Sequence, residues 1–504
     1  MTSSRAMLRA VGVPAALFTL AFASGCTVGP DYKPPQVQTP AGFYNTDKGT
    51  PTTRASVSGS ATTADEASIR AAVQWWKTLN DPLLDQLIDQ AVVENLDVKI
   101  ALGRIRELAA RRGVVAADLY PTVDSSGAYQ RNRDSREPPE NVAGRKVETN
   151  RWSAGFDASW ELDIWGGNRR DVEAADADLL AAVEGRNGVL LSLISEVARN
   201  YIELRGNQRQ IEIATSNAAS QRDTLRLTQL KFEAGLASDL DLARVEALVF
   251  TTEATIPTFQ AAANRSVNRL AVLLGTTTDQ IADQLLVPNA IPVTTVSVPL
   301  GLPSELLSRR PDVRQAERTL AAETARIGAA TSDLFPRFTL TGDFGLASDR
   351  IKTLGNSSAI FYGFGPSFTW PIFNSGRIKF NIEAQNARQQ QALDSYKQTI
   401  LLSLEEVETA LVNYNRFAAR QEILQKAVDS NRRAVARSTE LFDAGQIPFL
   451  DVLESQRQQF TSEAQLIESQ TAVSTALVAL YKALGGGWDV GNGAAVASSQ
   501  GITK

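Results

Sequence analysis

The sequence predicts an α+β membrane protein. Each chain supplies four membrane-spanning β-strands and two very long helical hairpins, and the ring they belong to closes only with further copies of the same chain. Three observations predict this. The text from Trp75 to Gly275 returns, diverged, from about Pro303 to Gly485. The 68 residues between Gly376 and Gly445 include neither glycine nor proline. Several segments alternate apolar and polar residues with period two over about a dozen positions.

At the N-terminus, Arg5 and Arg9 precede an apolar stretch from Val11 to Ala23, too short to cross a bilayer, followed by Ser24, Gly25 and Cys26. Residues 1–25 read as a lipoprotein signal peptide, with Cys26 the acceptor of a covalent diacylglycerol and an N-acyl lipid. Two or more acyl chains give stable anchoring where one is marginal. A stray cysteine in an ordinary signal peptide is the alternative. Bacterial lipoproteins held in the inner membrane usually carry Asp after the cysteine; Thr27 stands there instead and favours the outer membrane. Residues 26–74 form a lipidated, extended, Pro/Thr/Ser-rich lead.

The duplication sets the domain boundaries. Leu119-Tyr120-Pro121 returns as Leu334-Phe335-Pro336, Trp160 with Ile164-Trp165 as Trp370 with Ile372-Phe373, and Phe232-Glu233-Ala234-Gly235 as Phe442-Asp443-Ala444-Gly445. The first structural repeat spans 75–275 and the second 303–485. A connector, 276–302, joins them with Pro288, Pro292 and Pro299, which resist helix. Residues 486–504 are a C-terminal tail. Within each repeat the expected order is helix, strand, loop, strand, very long helix, turn, long helix.

From Gly 33 and Pro 20 in 504 residues, roughly seven such residues would be expected in a 68-residue stretch. At about 1.5 Å per residue the stretch is on the order of 100 Å of helix. Counting by sevens from Leu393 gives Ile400, Val407, Tyr414, Gln421, Val428, Val435 and Phe442. In the first repeat the matching positions are Val183, Leu190, Val197, Leu204, Ile211, Ala218, Leu225 and Phe232, so Gln421 alone is polar. A second seam is weaker: Tyr396, Ala410, Phe417 and Leu424 fit, whereas Ser403, Asn431 and Ser438 do not. A sustained heptad supercoils helices side by side, and a mixed second seam suits helices with two neighbours and one wet face. A filament-type coiled coil is the alternative, which the interposed strands fit badly. Trp75, Trp76 and Trp488 are read as core.

The strands come next. Trp152, Ala154, Phe156, Ala158, Trp160 and Leu162 alternate with polar or small residues. Phe338, Leu340, Phe344 and Leu346 alternate with Thr339, Thr341, Asp343 and Gly345, and Ile360, Tyr362, Phe364, Pro366, Phe368 and Trp370 with Phe361, Gly363, Gly365, Ser367 and Thr369. A fourth strand, Val123 to Arg131, is weaker. Aromatics toward the strand ends fit a transmembrane barrel with a polar lumen; a half-buried sheet of a soluble domain is the alternative. Bilayer-spanning sheets must close, and single-chain barrels start at about eight strands. Four strands per chain therefore require copies. A dimer would give 8 strands and a trimer 12, and the larger ring leaves an aqueous lumen. Loops at 132–150 and 348–358 would lie outside the cell. Arg131, Arg133, Arg136, Arg145, Lys146 and Arg151 there either meet lipid phosphates or are solvated.

Composition excludes other classes. Lys+Arg 51 against Asp+Glu 56 gives −5, with no nucleic-acid footprint. Histidine is absent and Cys26 is the one cysteine, which removes the commonest general base, His- and Cys-dependent nucleophile systems and the usual zinc sites. Glu405-Glu406 lies mid-helix, where a solvated charged stretch is the ordinary reading, and no phosphate-binding G-x-x-x-x-G-K-[ST] loop is present. Neither an enzyme nor a cofactor beyond the lipid is expected. A periplasmic coiled-coil scaffold or adaptor is the second functional reading.

Several fragments, in order, resemble the outer membrane factor (TolC-like) family, in its NodT-type lipoprotein branch. They are Cys26 to Tyr32, Trp75-Trp76 with Asp81-Pro82-Leu83, Leu306 to Val313, Ile327-Gly328 leading to Phe335-Pro336, and Trp370-Pro371-Ile372-Phe373. The resemblance implies a homotrimer with a 12-stranded barrel in the outer membrane, continued by an α-helical barrel in the periplasm. It implies a passive exit duct of a tripartite efflux or secretion system, with a periplasmic adaptor and an inner-membrane transporter of RND type. In this family the turns between the long helices form a periplasmic tip where acidic residues ring a closed opening. Gly235 and Gly445 match the helix-ending glycines of those turns, and Pro448 a helix restart. By position, Asp241, Asp451 and Glu454 are the gate candidates; capping of the following helix is the alternative for Asp241 and Asp451.

Overall fold

The computed structural model of the chain describes residues 27–37, 40, 42–44, 74–133, 148–292 and 309–486. The signal segment, Cys26, Arg136, Arg145, Lys146, Pro299 and Trp488 lie outside the described residues. The chain forms two compact units. One comprises 1–36, 105–182 and 316–396; the other comprises 37–104, 183–315 and 397–504.

The elements follow the expected order twice, except that two helices, not one, precede the strands of the first repeat. The first repeat has α1 (Pro82–Glu94), α2 (Leu96–Ala117), β1 (Thr122–Arg133), β2 (Glu148–Leu162), α3 (Gly167–Glu233) and α4 (Asp239–Leu273). A short α5 (Thr278–Leu285) leads toward the connector. The second repeat has α6 (Pro311–Ser332), β3 (Arg337–Ser348), β4 (Ile360–Thr369), α7 (Arg377–Asp443) and α8 (Phe449–Ala483). Both very long helices have 67 residues and both shorter partners have 35.

Local chemistry sets the helix starts. The Asp81 carboxylate accepts from the N–H groups of Leu83 (3.0 Å) and Leu84 (3.1 Å), with Pro82 at the first helical position, where its missing N–H costs nothing. Asn95 ends α1 and caps α2, accepting from Asp97 (2.9 Å) and Val98 (3.1 Å).

The core of the second unit gathers Trp75, Leu84, Ile88, Val197, Tyr201, Leu204, Leu270 and Leu477. Trp75 stacks on Tyr481 at 5.2 Å and 11°. The Tyr201 hydroxyl donates to Asp81 Oδ2 at 2.7 Å; burial and this bond push the phenol up to about 12. Trp75 and Trp76 are buried, as expected. Along the first seam Leu190, Val197, Leu204, Ala218, Ile400, Val407 and Val428 are buried, the other positions are part-buried, and Phe232 at its end is exposed. The second seam corrects the sequence reading. Ser403 and Ser438, apparent misfits, are buried too. Their hydroxyls donate to Ile400 O (2.7 Å) and Val435 O (3.1 Å), so each serine satisfies itself on its own helix and packs as a small residue.

The other unit carries one antiparallel sheet in the order β1-β2-β3-β4. Its register lines up the alternation. Phe156 faces Phe344, which faces Tyr362; Trp160 faces Leu340, which faces Pro366. On β1 the same face carries Val123, Ser125, Gly127 and Tyr129. Two of those four are not apolar side chains, which is why this strand read weakly.

Candidate functional site

Two places bear on function: the sheet's two faces and the two hairpin turns. On the apolar face, Tyr129 lies 4.2 Å from Trp152 at one end, and Phe338 pairs with Phe368 at 6.1 Å toward the other. The band from Trp152 to Leu162 is about 25 Å tall at the tilt of a membrane barrel. Just beyond Trp152, Arg131 and Arg133 meet Glu148 at 2.8 and 3.5 Å. Among the described residues no helix is long and apolar enough to cross a membrane.

The wet face carries a row the sequence did not disclose. Asp124 pairs in register with Asp157, and Asp157 with Asp343. Gly363 continues the row on β4, and the Ser126 hydroxyl donates to Asp157 Oδ2 at 3.2 Å. Each aspartate stands visibly among the polar residues of its own strand. That they share one level follows only from register, a non-local property. Three carboxylates abreast make this wall anionic and attractive to cations.

At the turns the two hairpins share one chain-ending device. Gly235 (φ 71°) and Gly445 (φ 69°) adopt the left-handed conformation. Leu236 N–H donates to Lys231 O at 2.8 Å and Gly235 N–H to Phe232 O at 2.9 Å. In the second turn Gln446 donates to Leu441 O and Gly445 to Phe442 O, both at 2.9 Å. These are paired Schellman bonds, and only glycine takes this conformation without a Cβ penalty. The turns touch: Lys231 Nζ lies 4.2 Å over the Phe442 ring, and Phe442 lies 5.0 Å from Phe449. Behind them Val245, Val249 and Leu453 pack together.

The three acidic candidates stand in different states. Asp241 is held in a capping box: its N–H donates to Ser238 Oγ (3.1 Å), and its carboxylate accepts from the Ser238 hydroxyl (2.6 Å) and N–H (3.2 Å). The Ser238 hydroxyl, then its N–H, draws the Asp241 carboxyl below its ordinary value. Glu454 accepts from Arg457 Nη2 at 2.7 Å and Gln458 Nε2 at 2.9 Å, and these bonds, Arg457 first, lower its carboxyl too. Asp451 lies exposed in the first turn of α8, and its carboxylate has no partner among the described residues. Pro448 is the N-cap of that helix and offers no side-chain cap.

Comparison with known proteins gives this geometry its context. A family model described as "Outer membrane efflux protein" matches residues 87–276 and 302–486, one stretch per repeat. Nodulation protein T of Rhizobium leguminosarum bv. trifolii is 31% identical over 476 residues, covering 92% of this chain and 95% of that protein. The solvent efflux pump outer membrane protein SrpC of Pseudomonas putida is 30% identical over 483 residues, covering 94% and 98%. The solved structure of the outer-membrane channel OprN superposes with a TM-score of 0.83 at 35% identity, covering 92% of this chain and 100% of that one. The fold class expected from the sequence, a homotrimer closing a 12-stranded barrel that continues into a helical barrel, is the fold of these channels. With both repeats inside the family match and the fold shared along nearly the whole length of a solved channel, this chain belongs to the outer membrane efflux proteins: it is a passive exit duct of the outer membrane, not an enzyme.

Proposed function

We propose that this duct is the homotrimeric outer-membrane end of a tripartite export system. A periplasmic adaptor grips the hairpin turns around Gly235 and Gly445, and an inner-membrane transporter of RND type supplies the energy. The single observation that carries the duct is the sheet: four strands, one face apolar and one wet, with β1 and β4 both left as edges. A spanning sheet with open edges is untenable in lipid, so copies must complete it. No phosphate loop stands in the chain, so the driving force comes from partners. Cys26, after its small-residue signal, carries the diacylglycerol and N-acyl lipid that hold the chain at the outer membrane.

The mouth of the duct is lined by Asp241, Asp451 and Glu454. Arg457 offsets the charge of Glu454, and Asp241 keeps its charge but is held on the neutral Ser238, so Asp451 supplies the carboxylate free to meet a cation. Symmetry brings its copies together, and like carboxylates attract cations. In planar bilayers the trimer conducts weakly, and Asp451→Asn relieves block by multivalent cations more than Asp241→Asn does. An unchanged block in both variants removes the gate assignment. Cross-linking from the two turns in cells captures the adaptor, and Cys26→Ser loses the acyl mass from the mature protein.

A further inference from the structure

We infer the strand register by which β4 of one copy joins β1 of the next, a deduction that rests on the closed-ring reading above. The two repeats are related by fixed shifts. Thr122↔Ser159 in the first repeat occupies the place of Arg337↔Thr369 in the second, a shift of 215 residues on the leading strand and 210 on the following one. An independent contact obeys the same shifts: Trp160 Nε1 donates to Leu119 O, and Trp370 Nε1 to Leu334 O, both at 3.0 Å. The left-handed glycines Gly166 and Gly376 obey it as well, as do the starts of α3 and α7.

The junction between repeats is seen once within the chain, where β2 meets β3, with Trp160↔Leu340 and Asp157↔Asp343 in register. The same shifts carry that junction to the open edges. Trp370 then faces the partner's Ser125, Phe368 the partner's Gly127, Ser367 the partner's Ala128, and Gly365 the partner's Gln130.

Side-chain sizes agree. Large groups fall against glycines on both faces, Phe368 on the apolar side and the partner's Gln130 on the wet side. Gly365 has open space where its Cβ would be. An aromatic ring laid over a cross-strand glycine is a known way to restore packing there. The parity is also correct: apolar positions of β4 meet apolar-face positions of β1, whereas a one-residue slip would set the wet-face residues of the partner's β1 level with Phe364 and Phe368.

A slip of two residues keeps parity, so the test must resolve it. Cys26 is the only cysteine in the sequence, so introduced thiols cross-link without a second background thiol. In the full chain, expressed in outer membranes, Ala128→Cys with Ser367→Cys is oxidised and run without reductant. Directly opposed strand residues lie within disulfide reach, and diagonal ones fall at or beyond its limit. The expected result is a covalent ladder up to trimer, reversed by reductant and several-fold stronger than with Ser126→Cys or Gln130→Cys paired with Ser367→Cys. Native mass is measured on the cysteine-free-strand parent in parallel. A trimeric parent whose strongest ladder comes from a slipped pair overturns the register alone. A parent that never trimerises overturns the ring reading, and the register with it.

Discussion

The two helical hairpins began as copies and have diverged at their ends. Both combine a 67-residue helix with a 35-residue helix, and both turn on a left-handed glycine closed by the same pair of backbone bonds. The first restarts on Ser238, whose hydroxyl and Asp241 form a reciprocal box; the second restarts on Pro448 with no side-chain cap. Midway along the shorter helix the contrast reverses: Pro257 interrupts the ladder of α4, while Ile467 holds the matching place in α8. Duplication thus preserved the shaft and the turn while leaving one helix restart fastened by a side-chain cap and the other without one. A tip with fewer fastenings opens at lower free-energy cost, which suits the hairpin that bears the unpartnered Asp451.

The largest effect should fall equally on both shafts. Val197 and Val407 are matched seam positions and both are fully buried. Aspartate at either position leaves a carboxylate without a partner in an apolar seam, which costs several kcal/mol and abolishes heat-resistant oligomer on gels. Unequal loss would break the equivalence of the shafts. Next come the turns. Gly235→Val and Gly445→Val each cost roughly 1–2 kcal/mol through the left-handed backbone, since no neighbour lies within 4 Å of either Cβ position; thermal unfolding measures it.

The tips themselves should then separate. Ser238→Ala removes a cap worth about 1 kcal/mol and speeds amide exchange at the start of α4, whereas Pro448→Ala removes no side-chain cap and leaves exchange at the start of α8 no faster. Equal responses would remove the asymmetry. The smallest effect is that of acid. Because folding lowers the Asp241 carboxyl below 3.8, its contribution is fully present above that value and is lost as pH falls through the lowered one. Exchange at the first tip, compared between pH 6 and pH 3, should rise after correction for intrinsic rates.

What the sequence disclosed follows from the range of each signal. Period-two strands, the heptad through Val407 and the glycine turns are local patterns, legible one residue at a time. Ser403 and Ser438 were misread because a polar letter hides a hydroxyl already bonded to its own helix. The Asp124, Asp157 and Asp343 row was invisible because level is a property of pairing between strands far apart in sequence. For Asp241 the sequence left gate and cap both open; the structure adds the Ser238 partner, and a residue so bonded can still lend charge to a mouth.

Ring closure by identical chains is the central claim, and native mass spectrometry of the detergent-extracted, full-length mature protein tests it most directly. Three chains in one particle, surviving release from the micelle, is the predicted result. A monodisperse single chain, stable in water without detergent, would contradict it.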